Sequence, residues 1–275
     1  MKDKKIITIQ DISCYGQCSL TVALPILSAA GYETAIIPSA VLSTHTAGFK
    51  GFTFHDLTSE IPHILDHYKK EGIKFDALYS GYLGGKDQIE LVKRMKNEVL
   101  NEGGIYAFDP AMADQGKLYP AFDNNYVNEM KELVKISDII LPNLTEACFL
   151  TDTPYLEKYD EEYVKEVMKK LVKMGAKKVV LTGISYKEDK LGVAIYEDGY
   201  KYYEHERISK GCHGTGDVYA SAFLGAYMKS NDLFKASKIA ADYVVLCIKN
   251  TINDPSHWYG VKFEPMLKEY IAMLK

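Results

Sequence analysis

Asp217 closes the string Gly214-Thr215-Gly216-Asp217, a carboxylate beside backbone that carries almost no side chain. The residues after it, Val218 to Met228, are small or apolar and contain no proline, which predicts a tight loop feeding a buried helix. The first N–H groups of a helix lack intrahelical partners and carry partial positive charge. Glycines let such backbone approach a ligand closely, so the string suits an anion, a phosphate above all. An acid there would repel the anion unless it had its own task, and accepting a proton is such a task. The competing reading is that Thr215 or Asp217 only caps the helix. The string alone does not separate the two.

Further polar residues recur at one kind of place. Asp11, Ser80-Gly81, Asp109, Asn143 and Thr182-Gly183 each stand at or just after the end of an apolar run of strand length. Singly, each could be a cap or a turn former. In an open α/β sheet, however, the ligand crevice lies outside the carboxyl ends of the strands. Five such positions and a glycine cradle together predict one site on that edge.

The elements that must hold these residues follow from periodicity. Strands are expected over 5–10, 33–39, 76–80, 105–109, 138–141 and 178–183, with helices over 20–30, 59–71, 86–102, 125–135 and 162–174. Pro25 should kink the first helix or start a second one. Strand, helix, strand in succession predicts parallel pairing with right-handed crossovers. Asp198-Gly199 between two alternating segments predicts a hairpin from Leu191 to His205. Three helices, one ending at Met228 and the others over 234–249 and 264–274, close the chain. With no linker or repeat in 275 residues, residues 1–275 read as a single domain.

Composition excludes several classes. A net charge of −4 without a basic block argues against a nucleic-acid or membrane-surface binder. No run approaches the roughly 18 apolar residues of a membrane span. Five scattered cysteines and no signal peptide point to reduced thiols in a cytoplasm. Gly81 to Asp87 is one residue short of a Walker loop and lacks its Ser/Thr, and Gly214-Thr215-Gly216 lacks the third glycine of a dinucleotide fingerprint. Cys14 and Cys18 lack the third cysteine of an iron–sulfur triad, and His63 and His67 read as a solvated helix face.

Three segments together resemble the signatures of the ribokinase superfamily: Gly214-Thr215-Gly216-Asp217, Asp109-Pro110-Ala111-Met112-Ala113-Asp114, and Pro142-Asn143-Leu144-Thr145-Glu146-Ala147. Ser43-Thr44-His45-Thr46 and Ser80-Gly81-Tyr82-Leu83 resemble the substrate segments of its pyridoxal (vitamin B6) kinases. The resemblance implies a ribokinase-like three-layer α/β/α sandwich with a mostly parallel central sheet. It implies ATP-dependent phosphorylation of the 5′-hydroxymethyl group of pyridoxal, pyridoxine or pyridoxamine, with Mg²⁺ and in some relatives a monovalent cation such as K⁺. By the same resemblance Asp217 is the proton acceptor, and the N–H groups of Gly214, Thr215 and Gly216 form the anion hole. Glu146, Asp109 and Asp114 face the metal; Asn143, Thr182, Gly214 and Gly216 meet the nucleotide; Asp11, His45, Thr46 and Tyr82 hold the pyridine. Relatives are commonly homodimers.

Departures from the family pattern are specific. Asp11 stands where the family often has serine, Thr44 where it has asparagine, and no glycine precedes Asp114. An acid at position 11 could pair with a protonated ring nitrogen or with the amine of pyridoxamine. Cys212 stands near the glycine string, where some relatives use a lid cysteine to trap an aldehyde; a partly buried inert thiol is the plainer reading. Residues 41–54 are expected to form a flap that excludes water. The competing functions are a hydroxymethylpyrimidine kinase of the same superfamily and a binding regulator that has lost catalysis.

Overall fold

A computed structural model describes residues 4–16, 18–208 and 211–275. Its strands are β1 (Lys5–Ser13), β2 (Glu33–Leu42), β3 (Phe54–Asp56), β4 (Phe75–Ser80), β5 (Leu100–Phe108), β6 (Ala113–Asp114), β7 (Lys117–Leu118), β8 (Ile139–Ile140), β9 (Lys178–Ile184), β10 (Lys190–Tyr196) and β11 (Tyr200–Glu206). All but β6 and β7 join one sheet in the order β11-β10-β9-β8-β5-β4-β1-β2-β3. The run from β9 to β2 is parallel, whereas β3 at one edge and β10 and β11 at the other pair antiparallel. Ile6, Ile7, Thr8 and Ile9 of β1 are all fully buried. Such continuous burial is what a parallel strand covered on both faces requires.

The helices are α1 (Leu20–Ala29), α2 (Ile61–Lys70), α3 (Lys86–Glu98), α4 (Asn124–Ile136), α5 (Leu144–Leu150), α6 (Glu161–Met174), α7 (Thr215–Ser230), α8 (Leu233–Thr251) and α9 (Leu267–Met273). One core lies between the sheet and α2 to α6; the other lies between the opposite face and α1, α7, α8 and α9. This is the expected three-layer sandwich. Among the described residues no helix is long and apolar enough to cross a membrane.

Helix α7 carries the glycine string at its mouth and is buried over Val218 to Met228. Buried on all sides, it has no polar face, so its placement depends on close packing. Ala222 and Gly225 supply this: a Cβ on Gly225 would come within 2.4 Å of the Tyr270 hydroxyl and 2.8 Å of the Ala30 methyl. The Tyr270 hydroxyl donates to the Ala222 carbonyl at 2.8 Å, which pins α9 across α7.

Some expectations shift. Strand β1 runs on to Ser13 where a turn is predicted from Asp11, and its register with β2 slips between Gln10 and Ile12. Asp11 therefore sits at an irregularity in the pairing, which re-aims side chains locally. The helix expected over 86–102 stops at Glu98, and β5 starts at Leu100, ahead of the helix-breaking Gly103-Gly104 pair. A single helix passes through Pro25; the carbonyl that loses its donor belongs to Thr21, which is only partly buried. Strand β3, the β6–β7 pair and α5 carry no periodicity long enough to announce them.

Gly225→Ala should overpack the α1–α7–α9 junction and cost about 1–3 kcal/mol. A lowered thermal unfolding midpoint is the expected result, and an unchanged midpoint would refute this packing account.

Candidate active site

Gly214 adopts a left-handed conformation (φ 78°) immediately before α7. The first helical bond is from the Val218 N–H to the Gly214 carbonyl at 3.0 Å, which leaves the N–H groups of Thr215, Gly216 and Asp217 outside the intrahelical ladder. Thr215 Oγ1 donates back to the Cys212 carbonyl at 3.3 Å. The Gly216 Cβ position faces open space, so the mouth is accessible. Neither Thr215 nor Asp217 caps α7, since the Gly214 cap carries no side-chain bond. The plain capping reading thus loses its geometry.

Asp217 instead turns toward the end of β1. Its Oδ2 accepts the Ser19 backbone N–H at 3.0 Å. Burial pushes its carboxyl up to about 6, opposed by the Ser19 bond and aided by the charge of Asp11. The Ser19 hydroxyl donates to Asp11 Oδ1 at 2.6 Å, and the Ser13 hydroxyl donates to Asp11 Oδ2 at 3.1 Å. Burial raises the Asp11 carboxyl too, against these two bonds.

A second acidic group lies at the ends of β5 and β8. Asp109 and Glu146 are both nearly inaccessible. Burial raises each strongly; next in weight come the charge of Asp217 on Asp109 and the charge of Asp109 on Glu146. Glu146 stays in place through a reciprocal cap: it accepts the Asn143 N–H at 2.8 Å while Asn143 Oδ1 accepts the Glu146 N–H at 3.0 Å. The Met112 N–H adds a third bond at 3.2 Å. Asn143 Nδ2 donates to the Ala113 carbonyl at 2.8 Å, which draws the β6 segment against α5. Asp114, next along, is exposed, and the charges of Glu146, Asp109, Asp114 and Asp217 all act on the Tyr119 phenol. Thr182 bridges to Asn143 across the sheet, its N–H donating to the Pro142 carbonyl at 2.9 Å.

The segment 43–53 between β2 and β3 closes on itself through the Ser43 N–H to the Thr53 carbonyl at 3.2 Å. Phe49 packs on Trp258 at 4.8 Å and on His45 at 5.0 Å between ring centroids. His45 is buried with both ring nitrogens engaged: Nδ1 accepts the Ala47 N–H at 3.1 Å, and Nε2 donates to the Tyr259 carbonyl. Its ring therefore ties the segment down and has no nitrogen left for a ligand in this arrangement. Thr46 beside it is exposed. Tyr82 is half-buried, its ring tilted at 36° to Phe122 with centroids 5.4 Å apart, and its phenol is raised by burial and then by Asp11.

Asp217, Asp11, Tyr82, Asp109 and Glu146 are thus linked by bonds or mutual charge; Thr46 and Asp114 lie at the solvent edge. Ser19, Tyr259 and Trp258 were not legible as site residues. Ser19 offers no motif, and residues 258–259 come to the flap only through tertiary folding. The rejected Walker-like string is consistent with its rejection: Lys86 pairs with Glu129 on the surface.

Comparison with known proteins supplies the family. The family model for phosphomethylpyrimidine kinase matches residues 24–260. A hydroxymethylpyrimidine/phosphomethylpyrimidine kinase of Aquifex aeolicus is 30% identical over 70% of this chain and 72% of its own. A pyridoxal kinase of Corynebacterium diphtheriae is 26% identical over 91% of this chain and 90% of its own. Among solved structures, pyridoxal kinase from Lactobacillus plantarum superposes with a TM-score of 0.90 at 28% identity, covering 98% of this chain and 97% of that one. A Bacteroides thetaiotaomicron protein crystallised with pyridoxal gives 0.92 at 34% identity, covering 98% and 96%. The fold and the likenesses define a ribokinase-like phosphotransferase. The chain belongs to the phosphomethylpyrimidine kinase family, and pyridoxal kinases are among its relatives.

Asn143→Ala removes the cap of α5 and one support of Glu146, and should cost about 0.5–2 kcal/mol. Thermal unfolding checks this; a variant as stable as the parent would show that the reciprocal cap contributes nothing.

Proposed function

We propose that the chain transfers the γ-phosphoryl group of ATP to the 5′-hydroxymethyl group of pyridoxal, pyridoxine or pyridoxamine. The observation that carries this reading is the pair of carboxylates joined through Ser19: Asp217 at the helix mouth and Asp11 at the end of β1. One would take the proton of an alcohol; the other would meet a cationic nitrogen of the same small molecule. Tyr82 beside Asp11 supplies an aromatic wall for a ring.

Phosphoryl transfer needs alignment and charge stabilisation above all. Asp217 accepts the hydroxyl proton as the oxygen attacks. The N–H groups of Gly214, Thr215 and Gly216 donate to the phosphoryl oxygens as charge builds on them. Asn143 and Thr182 stand on the nucleotide side. Asp109 and Glu146, two acids raised first by burial and then by the charge of Asp217 on the one and of Asp109 on the other, suit a cation between them and the phosphates, with Asp114 at its outer side. Among the described residues no three or more His, Cys, Asp or Glu form a cage for a metal. Mg²⁺ bound beside Asp109 and Glu146 would keep much of its water and would neutralise phosphate charge. Flap residues 43–53 keep water from the reacting groups.

The second reading, a hydroxymethylpyrimidine kinase, is favoured by the Aquifex aeolicus likeness. Turnover of ATP with each B6 vitamer and with hydroxymethylpyrimidine, side by side, separates the two; a higher kcat/KM for the pyrimidine would overturn the B6 assignment.

Asp217→Asn should lower kcat by about 10²–10⁴-fold. A variant with full kcat would remove Asp217 from the chemistry. In the parent, the base works only when deprotonated. With its carboxyl raised to about 6, kcat/KM should be level above that pH and fall as pH drops below it. A profile flat down to pH 4 would contradict the assignment. Glu146→Gln should raise the Mg²⁺ concentration needed for half-maximal rate, measured by titrating the metal at fixed ATP.

A further inference from the structure

Ser19 stands at the N-cap of α1, a position where serine normally accepts an N–H of the first turn. It makes no such bond. Its backbone is at φ 57°, ψ −130°, a conformation that costs a residue with a Cβ and that glycine adopts freely. A strained, uncapped serine persists only where its neighbours over-determine it, and both neighbours are acids of the site. Its N–H holds Asp217 and its hydroxyl holds Asp11, while its own carbonyl accepts the N–H groups of Val22 and Ala23 at 3.0 and 2.9 Å. Ser19 is also bridged to Ile12, one residue beyond Asp11 on β1.

We infer that Ser19 is a positioning residue that sets the separation of the two carboxylates, so that the alcohol and the cationic end of one substrate are read together. The inference rests on the proposed reading that Asp11 meets the substrate. The hydroxyl is the part a glycine cannot replace. Without it, Asp11 loses its shortest side-chain bond, keeping the Ser13 hydroxyl and its own backbone N–H, and is freer to turn about its side-chain torsions, while Asp217 keeps its backbone donor. The effect should therefore fall on substrate binding more than on the chemical step.

Two variants separate positioning from fold. Ser19→Gly removes the hydroxyl and relieves the strained backbone; Ser19→Ala removes the hydroxyl and keeps the strain. Both should raise KM for pyridoxamine and pyridoxal about tenfold. Both should change kcat by less than about threefold and leave KM for ATP unaltered. The glycine variant should melt a few degrees above the alanine variant. A purely structural role would move the two midpoints and leave the KM values alone, and that result overturns the inference. If the parent phosphorylates no B6 vitamer, the substrate reading fails by itself. Crystal structures of the two variants then decide the Ser19 role: an Asp11 carboxylate turned away from its parental position supports it, and an unmoved one refutes it.

Discussion

Like charges brought together in a poorly solvated place are the constraint on which this site depends. Burial first, and then the charge of Asp217 on Asp109, of Asp109 on Glu146 and of Asp11 on Asp217, push each carboxyl toward its neutral form. Burial of a carboxylate is unfavourable without hydrogen-bond donors or a positive partner. The chain supplies donors from backbone, Ser19 to Asp217 and both Met112 and Asn143 to Glu146, and from the two serines to Asp11. It supplies no lysine or arginine within hydrogen-bonding range of these four acids among the described ion pairs and hydrogen bonds. A positive ligand at these acids would lower the cost of keeping them charged.

That logic explains why an anion cradle and a set of acids share one edge. The N–H groups of Thr215, Gly216 and Asp217 open the first turn of α7, whereas the Asp217 side chain in that same turn bonds the Ser19 N–H. The free N–H groups and the carboxylate are thereby given separate partners. The close packing of Gly225 and Ala222 against α1 and α9 holds the helix in register with β1, so the separation does not drift.

How much of this the residues announce depends on whether the signal is local. Asp11, Asp109, Asn143 and Thr182 each end an apolar run, and the rule that parallel strands open their crevice at the carboxyl ends brings them together before any coordinates. The antiparallel β10–β11 hairpin follows from Asp198-Gly199. Helix α5 does not, since its seven residues span too few turns to show a period, and Asn143 and Glu146 reveal their reciprocal cap only when the turn is formed. Ser19 is hidden for a different reason. Its role is a pair of long-range bonds, 198 residues to Asp217 and eight to Asp11, and its strained backbone is a consequence of the fold and not of its neighbours in sequence. His45 is the opposite case: its motif points to a ligand, and the partners its two nitrogens have here, Ala47 and Tyr259, come in part from the far end of the chain.

The two substrate readings differ at Asp11 more than anywhere else in the site. Pyrimidine and pyridine rings both offer a hydroxymethyl group to Asp217, so the base cannot choose between them. A buried acid raised by desolvation, against two serine hydroxyls and its own backbone N–H, is costly while charged and unmatched. A ligand carrying a strongly basic amine or a ring nitrogen that is readily protonated removes that cost on binding; a weakly basic pyrimidine removes less of it. A carboxylate in place of a hydroxyl at the end of β1 therefore asks more of whatever binds there: a donor or a positive charge, where a serine could either donate or accept.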